Sequence, residues 1–383
     1  MSRLADIEQG IDQLLSESPY GMDSERRQEC LLSVFKNEIA HGCERNSSYA
    51  NYVEHWPVDF RRAETIADLP YLPVSVFKAN PPLSLVSSEE VKRTLTSSST
   101  TGQVPSRIVL DSATSRRMAK GALTIVRDFI GPARRPYLII DTSENLAAQA
   151  QIGARGAAIQ ALRSFATETV CCLQPTPDGE PRLDIDRILA CAAQWKSSQV
   201  LVYGFTYVIW TDFVQTLNRA GIKLDLPNAR VLHSGGWKRL QQHAVTHDAF
   251  NRDVAAVFGC PVSNVIDYYG MVENVGVIYP DCEYGNKHVP AFAEVIVRDP
   301  LTLAPVASGG KGLIQVCSVL PTSFPGFLLL TEDTAEVIRH DGCSCGRKGP
   351  SFRFAGRVPK AEVRGCGNLE SKRQRQTEMV GVA

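Results

Sequence analysis

A run of hydroxyl side chains near residue 100 is the segment of this sequence best suited to bind a phosphate. The run consists of Thr96, Ser97, Ser98, Ser99, Thr100 and Thr101, and it is followed by Gly102. Backbone N–H groups and hydroxyls in such a loop can donate hydrogen bonds to phosphate oxygens without a fixed positive charge. The segment lacks the G-x-x-x-x-G-K-[ST] pattern of a P-loop. Composition alone leaves a flexible Ser/Thr linker as the alternative.

Two tyrosines and a glutamate follow an apolar, strand-like segment further along the chain. Tyr268 and Tyr269 follow the apolar residues Val265 and Ile266 after one intervening aspartate, and Glu273 comes four residues after Tyr269. Ligands of open α/β sheets bind at the carboxyl ends of strands, where an aromatic ring can stack on a base and a carboxylate can hold Mg²⁺. A buried tyrosine pair in a turn, with a surface glutamate, is the alternative interpretation.

Asp333 and Arg357 are charged residues that each follow a short apolar segment. An aspartate can accept hydrogen bonds from ribose hydroxyls, and an arginine can pair with a phosphate or a carboxylate. Taken singly, each residue could equally lie in a solvated turn.

Three cysteines and a histidine have the chemistry of a metal site. Cys282 and His288 flank a Gly-Asn turn, and Cys343 and Cys345 lie in a second predicted loop. Four nitrogen and sulfur ligands from two loops fit a closed, tetrahedral zinc site with a structural role. The C-x-C spacing is less common than C-x-x-C, so spacing alone is weak evidence.

Three other histidines have no assigned role. His243 and His247 are four residues apart on a predicted helix, which could bind a metal, but no third ligand of the metalloprotease pattern accompanies them. We therefore expect these two to be solvated, and His233 stays unassigned.

The elements that must position these residues change in character along the chain. Residues 1–65 place apolar side chains at helical spacing. From about residue 105 to residue 280, short apolar strands alternate with helix-length segments, which predicts a mostly parallel sheet with helices on both faces within an α/β core over residues 66–280. Residues 281–357 contain β-like runs separated by Gly and Pro, which predicts a small β-rich subdomain. Residues 358–383 are expected to form a short polar tail.

These assignments include specific strands and helices. Strands are predicted at 137–141, 169–173, 200–203 and 229–233, and helices at 147–165, 184–195, 208–220 and 247–258. Shorter β-like runs are predicted at 293–298, 312–318, 327–331 and 335–339.

Composition restricts the classes of partner. Lys plus Arg and Asp plus Glu number 41 each, so no net charge steers the protein towards nucleic acid or an anionic membrane. No segment approaches the roughly 20 apolar residues that cross a bilayer, and the N-terminus lacks the pattern of a secretory signal. The odd count of 11 cysteines indicates reduced thiols. We expect a cytoplasmic protein without a membrane span or a nucleic-acid partner.

In their order and spacing these segments resemble the adenylate-forming superfamily of acyl-CoA synthetases and related ligases. The resemblance is closest to the acyl-protein synthetase branch, the LuxE type, and extends over about residues 60–367. Further motifs that carry it are Leu69-Pro-Tyr-Leu-Pro-Val-Ser-Val-Phe-Lys78, Val202-Tyr-Gly-Phe205, His233-Ser-Gly-Gly-Trp-Lys238, Val289-Pro290, Arg298-Asp-Pro300, Leu320-Pro-Thr-Ser-Phe-Pro325, Cys343-Ser-Cys-Gly-Arg347 and Gly356–Cys366. The resemblance implies a large adenylate-forming domain, with the usual lysine-bearing C-terminal domain absent or vestigial.

The resemblance also implies roles for individual residues. Ser97 to Thr101, within the loop that ends at Gly102, would contact the phosphates of ATP. Gly235 and Gly236 would line the adenine pocket, and Tyr269 would stack on the base. Glu273 would bind Mg²⁺, Asp333 the ribose hydroxyls, and Arg357 the ribose or the α-phosphate. Ser99 stands where related loops often have glycine, which is a departure if that position needs a positive φ.

A cysteine near the end of the chain is implied as an acyl acceptor. Arg364-Gly-Cys366-Gly resembles the segment of acyl-protein synthetases whose cysteine takes the acyl group as a thioester. A thiolate is a strong nucleophile towards an acyl-adenylate, and Arg364 and Lys360 would lower the pKa of the thiol. An inert, exposed cysteine is the alternative. Similar Cys-His-Cys-Cys sets in phenylacetate–CoA-ligase-like relatives support the structural zinc.

Three functions therefore stay open. The first is ATP- and Mg²⁺-dependent activation of a carboxylic acid, with a fatty acid favoured, followed by transfer to Cys366 and then to a partner such as an acyl reductase or an acyltransferase. The second is adenylation with transfer to coenzyme A or to a carrier-protein phosphopantetheine. The third is a non-catalytic acyl- or nucleotide-binding subunit of a biosynthetic complex.

Overall fold

The computed structural model describes residues 3–97, 104–144, 154–176, 181–236 and 244–358. It begins with three helices, α1 (Arg3–Ser16), α2 (Ser24–Arg45) and α3 (Ser47–Glu54), as the apolar spacing predicts. The Asp23 side chain caps α2 by accepting a hydrogen bond from the backbone N–H of Arg26, which satisfies a free donor of the first turn.

The proline-rich connector after these helices contributes strands of its own. β1 (Leu72–Pro73) lies between the 3₁₀ turns Ile66–Asp68 and Val74–Lys78. β2 (Arg93–Thr96) and β3 (Arg107–Leu110) then form an antiparallel hairpin. The loop of this hairpin contains the hydroxyl run.

A seven-stranded sheet forms the centre of the chain. Its strands are β4 (Arg135–Thr142), β5 (Ala166–Gln174), β6 (Arg182–Leu183), β7 (Val200–Phe205), β8 (Ala229–Ser234), β9 (Val265–Gly270) and β10 (Ile278–Pro280). The spatial order is β10-β9-β8-β7-β4-β5-β6, with parallel pairing between β5, β4, β7, β8 and β9 and antiparallel strands at both edges. The mostly parallel sheet predicted for residues 66–280 is confirmed.

Helices cover both faces of this larger sheet. They are α4 (Ser112–Ile130) and α5 (Ala154–Leu162) on one face, and α6 (Ile185–Trp195), α7 (Thr206–Val208), a π-helical stretch (Ile209–Val214), α8 (Gln215–Arg219) and α9 (His247–Phe258) on the other. Alternate residues of β4 enter the two cores: Tyr137 and Ile139 belong to the core that contains α4 and α5, and Leu138 and Ile140 to the core that contains α6. The carboxyl ends of the parallel strands therefore emerge together at one edge.

Two helices differ from their predicted bounds. The described part of the segment predicted at 147–165 is α5, followed by a 3₁₀ turn at Arg163–Phe165. The helix predicted at 208–220 begins at Thr206 and contains the π-helical stretch. Periodicity could not show this stretch, because one extra residue in a turn leaves the apolar pattern nearly unchanged.

A smaller, antiparallel sheet follows. Its strands are β11 (Lys287–His288), β12 (Ala293–Arg298), β13 (Lys311–Ser318), β14 (Leu328–Arg339) and β15 (Ser351–Arg357). They lie in the order β11-β15-β14-β13-β12, and β1 pairs in parallel with the start of β14. This agrees with the β-rich character predicted for residues 281–357.

One strand of the smaller sheet differs from the prediction. The runs predicted at 327–331 and 335–339 are a single strand, β14, because the polar residues between them stay paired with β15. The polar stretch resembles a turn in sequence, but in the structure the ladder continues through it with a register shift between Thr334 and Ala335. Among the helices of the described ranges, none combines the length and apolar composition that a membrane crossing requires.

Candidate active site

The hydroxyl run begins at the tip of a closed hairpin. Thr96 pairs with Arg107 across β2 and β3, the N–H of Ser97 donates to the carbonyl of Ser106 at 3.1 Å, and the N–H of Ser106 donates to the Ser97 hydroxyl at 2.9 Å. The residues on both sides of the segment are therefore paired with each other, which argues against a linker between domains. Ser98, Ser99, Thr100, Thr101 and Gly102 lie outside the described residues.

Tyr269, Asp333 and Arg357 come together at the carboxyl end of β9. The Tyr269 hydroxyl donates to Asp333 Oδ2 at 3.0 Å, and Arg357 Nε donates to Asp333 Oδ1 at 3.0 Å. Asp333 and Arg357 are partners in the β14–β15 ladder, so the smaller sheet supplies two members and the larger sheet supplies the third. The three residues thus form one polar group where the two sheets meet.

The electrostatics of this group follow from its unequal burial. Burial raises the pKa of the Tyr269 hydroxyl well above its usual value, and the adjacent Asp333 carboxylate raises it further, so the phenol stays protonated and donates. Burial opposes the charge on Arg357, but the hydrogen bond to Asp333 and the negative charges of Asp333 and Glu332 together outweigh it, so the pKa of the guanidinium is raised. The Arg357 side chain is 71% exposed, and its remaining N–H donors are accessible to a ligand.

An aromatic residue that the sequence analysis missed lies against Tyr269. The Phe354 ring stacks on the Tyr269 ring with centroids 5.1 Å apart and planes inclined by 25°. Tyr269 is 9% exposed, whereas Phe354 is 42% exposed. A base that approaches this pair from solvent therefore meets Phe354 first. The sequence feature that could have indicated this residue is its place, three residues before Arg357, in a short segment that contains two phenylalanines.

Gly235 and Gly236 directly follow β8 at the same edge of the larger sheet. Gly235 has φ of 87°, which a side chain would strain, and a Cβ there would lie 3.6 Å from the Phe205 ring. Among the described residues, which resume only at 244, no atom lies within 4 Å of a Cβ built on Gly236. The backbone here is open to a close ligand approach.

Glu273 lies in the turn that connects β9 to β10 and is 7% exposed. The turn packs tightly on α4, since a Cβ on Gly276 would lie 2.5 Å from the Met118 Cα atom. The structure therefore places the carboxylate at the end of the strand that carries Tyr269. No contact between Glu273 and the Tyr269, Asp333 and Arg357 group is among the hydrogen bonds and ion pairs of the described residues.

Cys282, His288, Cys343 and Cys345 come together as the sequence predicts. Their ligand atoms all lie within 4.8 Å of one another, with Cys282 Sγ 3.9 Å from Cys343 Sγ and Cys345 Sγ 3.3 Å from His288 Nε2. Burial lowers the pKa of His288 to about 4, so the imidazole is neutral as a metal ligand must be. Three thiols and one neutral imidazole are a donor set that suits Zn²⁺. We refer to the two loops that carry them as the knuckle.

The histidines near α9 differ from expectation in one case. His247 is not simply solvated: its side chain is 47% exposed, and Nε2 lies 3.2 Å from Asp281 Oδ2. His233 is buried, with Nδ1 3.0 Å from the Thr206 hydroxyl, and burial lowers its pKa to about 4. His243 lies outside the described residues.

A cavity of about 670 Å³ opens at the other end of the larger sheet. Its lining includes Tyr20, Phe129, Arg230, Asn264, Cys345 and Arg347. Arg230 is at the start of β8 and Asn264 precedes β9, whereas Gly235 and Tyr269 mark the carboxyl ends of these strands. Because the cavity lies at the amino ends of these strands, opposite the residues proposed to bind ligand, we assign it no substrate.

Comparison with known proteins agrees with this arrangement. The profile of the family described as "Acyl-protein synthetase, LuxE" matches residues 4–374. The long-chain-fatty-acid–luciferin-component ligase of Vibrio harveyi is 24% identical over 367 residues, which cover 93% of this chain and 91% of that protein. The protein of the same name from Aliivibrio fischeri is 25% identical over 334 residues, covering 85% of this chain and 84% of that one.

A solved structure shows the same fold. A crystal structure of 2-hydroxyisobutyryl-CoA ligase in an open conformation, with 2-HIB-AMP and CoA, superposes with a TM-score of 0.68 at 16% identity, covering 91% of this chain and 79% of that chain. The predicted α/β fold class and the resemblance inferred from the motifs are confirmed. With the family profile matching nearly the whole chain, this protein belongs to the acyl-protein synthetase (LuxE) family.

Proposed function

We propose that the protein activates a fatty acid with ATP and Mg²⁺ and then transfers the acyl group to its own Cys366. The observation that carries the proposal is the hydrogen-bonded group of Tyr269, Asp333 and Arg357, which combines an aromatic, an anionic and a cationic side chain where two sheets meet. Membership of the family supports the reaction class, and the names of the two curated relatives support a long-chain fatty acid as the substrate.

In the first step the acid's carboxylate attacks the α-phosphorus of ATP, and pyrophosphate leaves. Asp333 accepts hydrogen bonds from the ribose hydroxyls, while the exposed N–H donors of Arg357 stabilise charge on the α-phosphate. Phe354, backed by Tyr269, offers the adenine a stacking surface, and Gly235 and Gly236 line the adenine pocket. Glu273 would hold the magnesium ion, which would neutralise phosphate charge, and the 97–102 loop would donate hydrogen bonds to the phosphates.

In the second step the Cys366 thiolate attacks the acyl carbonyl, AMP leaves, and a thioester forms. Cys366 lies outside the described residues, but it is eight residues after Val358, the last described residue. Eight extended residues span at most about 26–29 Å. The thiol can therefore reach the site from β15 without a separate carrier domain. A partner enzyme, an acyl reductase or an acyltransferase, would then remove the acyl group and allow a second turnover.

We also propose that Cys282, His288, Cys343 and Cys345 hold a structural Zn²⁺. With all four positions of the tetrahedron taken by protein ligands, such an ion has no open position for a substrate.

The test of the acyl transfer is intact-mass measurement after incubation with ATP, Mg²⁺ and straight-chain acids of graded length. We expect the mass of the wild-type protein to rise by that of the acid minus one water, with the adduct removable by hydroxylamine, and no adduct on Cys366→Ser. Cys191→Ser is the matched control and should acylate normally. An adduct of unchanged yield on Cys366→Ser would overturn the role of this thiol. Absence of acid-dependent exchange of pyrophosphate into ATP would overturn the adenylation itself.

A further inference from the structure

Lys287 is a buried cation at the junction of the two sheets. Its side chain is 4% exposed, and Nζ lies 2.8 Å from Asp267 Oδ2 and 3.2 Å from Asp281 Oδ1. Nζ also lies 3.4 Å from the Asp267 carbonyl oxygen. Burying an ammonium group costs several kcal/mol unless good partners compensate, so these contacts fix the position of the side chain.

The ion pairs of Lys287 join the two sheets. The backbone of Lys287 belongs to β11 and pairs with Phe352 on β15, while its side chain reaches Asp267 on β9. β15 also carries Phe354 and Arg357, and β9 carries Tyr269 two residues after Asp267. One side chain therefore connects the strands that supply the two halves of the proposed nucleotide site.

Aromatic contacts between these strands link the position of β11 to that of Tyr269. The Tyr269 ring contacts Phe354 face to face, and Phe352 packs edge-on against Tyr279 with centroids 5.4 Å apart. Tyr279 pairs with Tyr269 in the β9–β10 ladder. A shift of β11 relative to β9 would thus displace the aromatic pair and the Tyr269–Asp333 hydrogen bond together.

A second cation, Arg347, binds the knuckle to helix α4 and not to β9. Arg347 Nε lies 2.8 Å from Asp128 Oδ1 on α4, and the guanidinium lies over the Phe129 ring at 4.0 Å. Lys287 is adjacent to His288 in the knuckle, so both cations tie the same loops to the larger α/β layer. Only Lys287 reaches the strand that carries Tyr269, which makes Arg347 a matched comparison.

We propose that Lys287 is a positioning residue for nucleotide binding: through Asp267 and β9 it holds Tyr269 in register with Asp333, Phe354 and Arg357. The inference rests on the proposed adenylation function, because it assigns the nucleotide to this group of residues. Loss of the Lys287 ion pairs should weaken the binding of ATP while the affinity for the acid stays unchanged.

The test compares Lys287→Met, Lys287→Arg, Asp267→Asn and Arg347→Gln with the wild-type protein. Pyrophosphate exchange gives KM for ATP and for the acid, and calorimetry gives Kd for AMP without any turnover. We expect Lys287→Met and Asp267→Asn to raise KM for ATP and Kd for AMP about tenfold or more, since small displacements of binding groups have effects of this size. KM for the acid should stay within about twofold of wild type, Lys287→Arg should restore most of the affinity, and Arg347→Gln should leave both nucleotide constants unchanged.

Thermal unfolding separates this effect from a general loss of stability. Arg347→Gln and Lys287→Met should both lower Tm, and only the latter should change nucleotide affinity. Wild-type affinity for AMP in folded Lys287→Met or Asp267→Asn would overturn the inference, as would an equal loss in Arg347→Gln. A wild-type protein that binds AMP but exchanges no pyrophosphate with any acid would overturn the proposed function and leave the role of Lys287 standing.

Discussion

The carboxylate of Asp333 is shared between two side chains, with Arg357 Nε at 3.0 Å from one oxygen and the Tyr269 hydroxyl at 3.0 Å from the other. Each carboxylate oxygen can accept a further hydrogen bond. The group is therefore ordered before a ribose arrives and still has acceptor capacity for its two hydroxyls.

Replacement of Asp333 by asparagine should weaken ATP binding by about 10- to 100-fold, because hydrogen bonds to a charged acceptor contribute about 1.5–3 kcal/mol. Asp333→Asn keeps the size of the side chain and its place in β14. Pyrophosphate exchange at varied ATP measures the change. Glu332→Gln, at the exposed neighbouring position, is the control and should behave as wild type.

Removal of the Phe354 ring should also weaken nucleotide binding. A base stacked on an aromatic side chain gains about 1–3 kcal/mol, so we expect Phe354→Ala to raise Kd for AMP by at least about fivefold. Tyr284 is another exposed aromatic residue, at 53%, in the turn of the knuckle. Tyr284→Ala should leave Kd unchanged, and an unchanged Kd in Phe354→Ala would show that the base stacks elsewhere.

The knuckle predicts about one zinc per chain by elemental analysis, lost in Cys345→Ser and retained in Cys191→Ser. Chelation should lower Tm, because the knuckle is bound to α4 through Arg347 and to the N-terminal segment through the Lys348 N–H, which donates to the Tyr20 carbonyl at 3.0 Å. Wild-type protein without zinc, yet with an unchanged Tm, would argue against a structural metal.

His247 should contribute a pH-dependent part of the stability. The hydrogen bond to Asp281 raises the pKa of His247 above its usual 6.5, against the opposing effect of burial. The folded protein therefore binds this proton more tightly than the unfolded chain. The contribution is complete below about pH 6.5 and is lost as pH rises through the higher, folded-state pKa.

This pH dependence is tested by thermal unfolding at a series of pH values from about 5.5 to about 8.5, a range that includes the usual pKa of histidine. His247→Gln should remove the decline in stability above about pH 6.5 that the wild type shows. His340→Gln, at an exposed position, is the matched control. Identical pH profiles for His247→Gln and wild type would contradict the assignment.

Polar residues that follow an apolar run were predictable from the sequence. Tyr269, Asp333 and Arg357 each come after an apolar run, and the parallel sheet brings the end of β9 to the edge where ligands bind. The knuckle was predictable for a similar reason, since its four ligands belong to two short loops. In both cases the chemistry is local in the sequence, and the fold only has to bring a few segments together.

Contacts that depend on pairing between distant strands were not predictable. Phe354 is partly exposed, and its ring lies over Tyr269 on another strand. Its apolar character in the sequence indicates neither feature. Lys287 has the appearance of a surface lysine in the sequence, yet Asp267 and Asp281 bury it. The register of β11 against β15 places Lys287, and the register of β14 against β15 places Phe354. A single sequence carries no signal of either register.

β14 has a consequence for the order in which the protein acquires its shape. Its first residues pair with Leu72 and Pro73 near the beginning of the chain, and its middle pairs with β15 at the far end of the described residues. Such long-range ladders form slowly, because distant segments must first meet. During synthesis the residues around Asp333 leave the ribosome before β15 and cannot complete their pairing until β15 follows. The growing chain therefore gains affinity for nucleotide only after β15 has been synthesised and has paired with β14.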